Sequence, residues 1–217
     1  MTNTEHSHDT ETGDPQEFWD RLYSEREQIW SGNPNPWVVS FATELTPGRA
    51  LDLGAGEGGD SVWLAERGWQ VTAVDITEIA LARLRAAAAE RGVGERIRAE
   101  RYDLATDFPT GAFDLVSAQF FQSPVELPRF DILRKAAHAL APGGLLLIVD
   151  HGAMPPWARN AHHHADFPAP REVYEGLGLD ETQWHAEVLE SRERDAIGPD
   201  GESAVLIDNV IAIRRLG

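Results

Sequence analysis

Between residues 50 and 150, five short apolar runs alternate with stretches of helical periodicity, and few architectures accept that order. The strand candidates are Ala50–Leu53, Gln70–Val74, Ile97–Tyr102, Phe113–Ser117 and Leu145–Asp150. The helical candidates are Asp60–Arg67, Glu78–Arg91 and Pro128–Leu140. In the last of these, Ile132, Leu133, Ala136, Ala137 and Leu140 share one face, and Pro142-Gly143-Gly144 stops the helix. Strands apolar at successive positions are buried on both faces, and a helix with one apolar stripe covers one such face. The alternation therefore predicts parallel βαβ units in an α/β, Rossmann-like, doubly wound, mostly parallel sheet.

The flanks differ. Residues 1–14 hold almost nothing apolar and read as a disordered lead-in, with His6 and His8 solvated. From Pro15, the spacing of Phe18, Trp19, Leu22 and Tyr23 is helical. That pattern breaks at Ser31-Gly32-Asn33-Pro34-Asn35-Pro36, and a second helix, Trp37–Leu45, ends before Pro47-Gly48. Beyond residue 150, a His/Pro-rich loop (151–170) leads to a short helix near Arg171–Leu177. Two long β-like runs follow, Trp184–Asp195 and Ser203–Arg215, joined by Ile197-Gly198-Pro199-Asp200-Gly201, which predicts an antiparallel hairpin. With the five runs above, the hairpin makes a seven-stranded sheet. No linker divides residues 15–217, which read as one domain with residues 15–46 as its N-terminal helical segment.

Residues 50–59 read Ala-Leu-Asp-Leu-Gly-Ala-Gly-Glu-Gly-Gly, a strand turned by glycines into a helix. Such a loop lets the backbone approach a ligand closely and presents free N–H groups at the helix start. Gly54, Gly56 and Gly59 satisfy the dinucleotide pattern GxGxxG, so the loop alone does not separate a nicotinamide cofactor from others. Two carboxylates help to decide. Asp52 lies two residues before the first glycine, where a pyrophosphate is unwelcome and a cationic amino group is favoured. Asp75 ends the second strand, where a carboxylate accepts both hydroxyls of a ribose. Either acid has a plainer role open to it as a strand-end helix cap.

Residues 50–76 resemble the class I methyltransferases that use S-adenosylmethionine (SAM), and within them the bacterial tellurite-resistance and thiopurine S-methyltransferase-like group. The likeness runs over most of residues 17–215. It implies SAM as cofactor, held by Asp52, Gly54, Ala55, Gly56, Asp75 and Ile76, with Asp103-Leu104 at the adenine edge. Phe113 to Phe121 resembles the fourth strand and the loop passing the methionine moiety, which adds Gln119 to the cofactor set and Phe120 and Phe121 to the acceptor side. Trp30 with Pro34-Asn35-Pro36-Trp37 resembles an N-terminal lid, with Trp30 over the cofactor. The residues themselves keep plainer roles open. Asp103 serves equally as a turn former before Thr106, Trp19, Trp30 and Trp37 as packing, and Phe113, Leu115 and Val116 as core.

A thiolate acceptor needs little beyond positioning, whereas a hydroxyl or amine needs a base. The region after the fifth strand offers His151, His162, His163 and His164, at the sheet edge where open α/β folds gather ligands. His151, His162 and His164 are the candidate catalytic residues. A metal site there is the lesser reading. Arg192 and Arg194 alternate onto one face of the hairpin, suited to an anionic substrate or to surface ion pairs. The chain reads Ser117-Ala118-Gln119-Phe120-Phe121 where base- and glutamine-methylating enzymes carry Asn/Asp-Pro-Pro-Tyr/Phe. The expected acceptor is therefore a small molecule, thiol or heavier chalcogen first and hydroxyl next.

Charge narrows the classes further. The net charge is -17, with 19 basic residues against 36 acidic, so nucleic acid and anionic membranes should be repelled. No apolar run reaches the ~20 residues a membrane helix needs. Without a charged-then-apolar leader the chain reads as cytoplasmic. The chain contains no cysteine, which removes disulfides and thiolate chemistry of its own. The rival readings are an NAD-dependent oxidoreductase and a SAM-binding regulator without catalysis. Oligomeric state is not legible.

Overall fold

The computed structural model describes residues 13–158, 167–198 and 200–217. Helix α1 (Pro15–Ser24) starts where Asp14 accepts the Gln16 N–H at 2.8 Å, with Pro15 at a position that needs no donor. Helix α2 (Pro36–Thr43) repeats the device with Asn35 as cap. Five strands follow, β1 (Arg49–Leu53), β2 (Gln70–Asp75), β3 (Ile97–Arg101), β4 (Phe113–Gln119) and β5 (Leu140–His151). Between them lie α3 (Gly59–Glu66), α4 (Glu78–Glu90) and α5 (Arg129–His138). The chain closes with α6 (Pro170–Leu177), β6 (Trp184–Ile197) and β7 (Ser203–Arg215).

These strands form one seven-stranded sheet in the order β3-β2-β1-β4-β5-β7-β6. The first five are parallel, and β7 runs antiparallel between β5 and β6. The predicted mostly parallel sheet with its closing hairpin is the observed fold. Ala50, Leu115, Leu147 and Val149 pack with α2, α3 and α4 on one face; Leu51, Leu53, Val116 and Leu146 pack with α5 and α6 on the other. Burying each such leucine or valine contributes about 1.5–3 kcal/mol. Among the described residues, no helix is long and apolar enough to cross a membrane.

One boundary is corrected. The α5 periodicity extends through Leu140 in sequence, but the helix ends at His138, and Leu140 already pairs with Phe113 of β4. Pro142-Gly143-Gly144 lies within β5, where the register shifts between Phe113 and Leu115. Leu140 is buried in either conformation, so periodicity alone could not place the switch from helix to strand.

Candidate functional site

Successive side chains of a strand point to opposite faces. Ala50 packs on the α2–α4 face, so Asp52 points there too, opposite Ala73 of β2 and Ser117 of β4. Carrying that parity across the sheet puts Asp75, Ser117, Gln119, His151, Asp208 and Arg192 on the same face. They form a polar band along the carboxyl edge, above the apolar core and beside α2.

At one end of the band the glycine loop and three carboxylates meet. Gly54 and Gly56 sit at φ +65° and +53°, which L side chains resist, and a Cβ on Gly54 would lie 2.9 Å from the Phe121 ring. Asp52 is buried and accepts the Ser61 hydroxyl at 2.6 Å. Asp75, also buried, accepts the Gly56 N–H at 2.9 Å and the Thr77 N–H at 3.1 Å, tying the loop to the end of β2. Asp60 at the start of α3 accepts the Asn35 N–H at 2.5 Å. Burial, then the Asp60 charge, push Asp52 up to about 8 against the relief of the Ser61 hydroxyl, and burial pushes Asp60 up to about 6. Burial also raises Asp75, with the Thr77 and Gly56 N–H groups opposing. Among the described residues, no basic side chain forms an ion pair with any of the three. A cation is the ligand this end lacks. A pyrophosphate would add negative charge to it, which counts against the nicotinamide reading.

A clamp holds the N-terminal segment over the loop. Glu57, buried within the loop, accepts the Ile29 N–H and, at 2.9 Å, the Trp30 N–H, and pairs with Arg83 at 2.7 Å. Arg83 also donates to the Tyr23 and Arg26 carbonyls. The Trp30 indole donates to the Tyr23 hydroxyl at 2.9 Å, and both groups lie within 3.5 Å of where a Gly56 Cβ would sit. Trp30 remains 52% exposed, so the core does not need it. Sequence reasoning does not single out Glu57, Arg83, Tyr23 or Asp60. Their contacts reach across 25 to 60 residues, and no local spacing signals them.

Further along the band lies the second end. Phe120 adopts φ +50°, rare for an aromatic residue, and its ring stacks on His151 at 4.3 Å. Burial lowers the His151 pKa; Asp208 works against that and Arg194 with it. The imidazole is therefore neutral near pH 7. The Gln119 amide donates to Ser117 at 3.0 Å, while its buried Oε1 has no partner among the described residues. Behind Phe120, on the opposite face, Arg129 holds buried Asp150 at 2.5–2.6 Å and the Phe121 carbonyl at 2.9 Å, joining the ends of β4 and β5.

The other predicted site residues divide. Ile76 is half-buried beside Asp75. Leu104 is core. Asp103 is exposed and accepts the Ala105 N–H and the Thr106 hydroxyl, the turn-forming role that its sequence context also allows. Arg194 pairs with buried Asp208 at 2.6 Å, the ion-pairing one of the two roles its sequence context allows, although its partner is buried and not on the surface. Arg192 lies 5.3 Å from the Trp37 ring. His162, His163 and His164 lie outside the described residues, as do His6 and His8.

Comparison with known proteins gives the band its context. A family model described as a methyltransferase domain matches residues 50–144. The chain is 32% identical over 152 residues to a ubiquinone biosynthesis O-methyltransferase of Xanthomonas oryzae. That match covers 62% of this chain and 62% of the relative, so the chain spans less than two thirds of its relative's length. A structure solved in work on disulfide-to-thioacetal conversion in echinomycin biosynthesis superposes with a TM-score of 0.73 at 25% identity, over 93% of both chains. TehB from Haemophilus influenzae superposes at 0.63 and 20% identity, over 91% of this chain and 67% of that one, a likeness of fold.

Proposed function

We propose that the chain, whose residues 50–144 match a methyltransferase domain, uses SAM to methylate a hydroxyl oxygen on a small organic acceptor, with His151 as the base. The observation that carries this reading is a half-buried imidazole at the carboxyl edge, stacked on Phe120 and on the same sheet face as the cofactor-side carboxylates, with its pKa lowered by desolvation. A thiolate acceptor would have no use for it, so hydroxyl moves ahead of thiol. The O-methyltransferase relative supports the same order. For the tellurite-resistance subgroup, support is limited to the shared fold.

The residues fit SAM. Three carboxylates with no basic partner among the described residues suit its cationic groups, and the glycine loop leaves room that a Cβ would fill. Asp52 and Asp60 would hold the amino group, and Asp75 the ribose hydroxyls. Gln119 Oε1 is a free acceptor facing the band, and Trp30 would exclude water from above. When bound, SAM supplies a methyl group on positively charged sulfur and departs as S-adenosylhomocysteine. The protein's part is to hold the acceptor oxygen in line and to let His151 take its proton, which then passes to solvent.

The test is methyl transfer from radiolabelled SAM to catechol and to thiophenol, with thermal shifts for S-adenosylhomocysteine and NADH. Label should enter catechol, and only S-adenosylhomocysteine should raise the melting temperature. Faster labelling of thiophenol would restore the thiol reading. Binding without transfer to either acceptor would favour a regulator.

Cofactor affinity should also depend on pH. Asp52 titrates at about 8 folded against its ordinary 3.8, so the folded chain holds an extra proton between those values. Apo stability from this group is therefore greatest at low pH and falls as pH rises through that window. A cationic ligand favours the ionised form, so binding displaces the proton. The affinity for S-adenosylhomocysteine should climb from pH 6 to about 8 and then level. Calorimetry in buffers of differing ionisation enthalpy should register proton release at pH 7, and Asp52→Asn should reduce it. Proton release unchanged in that variant would remove Asp52 from the site.

A further inference from the structure

We infer that Arg192 is an anion subsite of the acceptor pocket, so that the preferred acceptor carries a carboxylate or similar anionic group at the end away from the atom that His151 deprotonates. The inference rests on the acceptor reading above. His151, Asp208 and Arg192 are directly opposite one another on β5, β7 and β6, on one face of the sheet. Neighbouring strands lie ~4.8 Å apart, so Arg192 starts ~10 Å across from His151. With a hydrogen bond of about 2.8 Å at each end, that separation admits a single aromatic ring with one group at each end.

Asp208 does not occupy Arg192. Its carboxylate is fully buried and already takes Arg194 at 2.6 and 3.3 Å and the Trp37 indole N–H at 2.8 Å. Three donors on one carboxylate leave its charge answered. The guanidinium of Arg192 instead lies over the rings of Trp37 at 5.3 Å and Phe41 at 6.0 Å. Trp37 is itself pinned by Asp208, so this stacking holds the guanidinium at a set place against α2. Among the described residues, Arg192 forms one ion pair, from Nε to Glu190 at 2.9 Å, on the same strand and 59% exposed, and an exposed pair of this kind contributes little. Among the described residues, the two terminal nitrogens of Arg192 have no hydrogen-bond partner, and they form the fork that meets a carboxylate side-on.

Charge makes the arrangement selective. A chain of net charge -17 repels an anionic acceptor unless a local cation offsets the field. Arg194 cannot do so while Asp208 neutralises it, so among the described residues Arg192 is the cation of the band's second end. A neutral acceptor would find the aromatic wall but no partner for the fork.

The test uses two acceptors alike except in charge, 3,4-dihydroxybenzoate and 3,4-dihydroxybenzamide, titrated calorimetrically into the full chain saturated with S-adenosylhomocysteine. The carboxylate should bind about tenfold tighter than the amide, about the contribution of one charge-assisted pair. Arg192→Gln should bring the two affinities together. Arg192→Lys should keep part of the preference, because the charge remains but the fork is lost. Equal affinities in the wild type, a preference that survives in Arg192→Gln, or no binding of either compound would overturn the inference. S-adenosylhomocysteine binding, measured first in the same samples, separates the outcomes. Its loss in the wild type brings down the methyltransferase reading itself, whereas its retention confines a failure to the subsite.

Discussion

Replacing His151 by Gln should lower kcat for a hydroxyl acceptor by about 10²–10⁴, the usual contribution of a positioned base. The affinity for S-adenosylhomocysteine should stay where it is, because the cofactor-side carboxylates lie on β1, β2 and α3. A second readout separates chemistry from packing. The His151 pKa is lowered by burial, so in the wild type kcat/KM for the acceptor, at saturating SAM, should be flat near neutrality and fall only on the acid side of the ordinary 6.5. The Gln variant should lose that limb. If His151 only packs against Phe120, the substitution would lower the melting temperature and leave the pH profile intact. The backbone of Phe120 supports a positioning role, because a left-handed aromatic residue costs about 1–3 kcal/mol and persists where the surroundings enforce it. Its N–H is held by the Val149 carbonyl at 2.6 Å.

Asp75→Ala should weaken SAM by about 10²–10⁴. Each hydrogen bond from a hydroxyl to a charged acceptor contributes about 1.5–3 kcal/mol, and the ribose would lose two. Each carboxylate oxygen already accepts one backbone N–H, from Gly56 or from Thr77, and each retains a lone pair for a hydroxyl. The variant should also be less stable by about 1–3 kcal/mol, because the Gly56 N–H loses its partner in a tight turn. Asp75→Asn provides the control. Its amide keeps one acceptor oxygen and turns a donor toward one of the two N–H groups, so its affinity should fall between wild type and Asp75→Ala. The measurement is calorimetry at a temperature where both variants are folded. Wild-type affinity in Asp75→Ala would show that the carboxylate only staples the loop.

His151 and Asp75 are both marked by the sequence, and for the same reason. A strand that runs into a glycine turn, and an acid at the end of the next strand, are local patterns whose geometry follows from chain direction and side-chain alternation. Asp52, Gly54, Gly56 and Asp75 come together because β1 and β2 are parallel neighbours, with Leu53 opposite Val74. His151 is legible likewise as the residue that ends the last parallel strand. Arg192 and Arg194 illustrate the limit of that reasoning. Alternation places both on one face, but it cannot show that Asp208, 14 residues from Arg194, claims one of them.

What the sequence determined by itself was the layered α/β plan, the glycine loop with its strand-end acids, and the closing hairpin, since each is carried by periodicity or by short spacing. The tertiary structure alone decided which charges are spent and which remain. Trp37 reaches Asp208 across 171 positions, Glu57 gathers Trp30 and Arg83 from opposite directions along the chain, and Arg129 crosses from α5 to Asp150. Only the fold brings such partners within hydrogen-bonding distance, because burial makes an unpaired charge costly and so commits each carboxylate to whatever donor packing delivers.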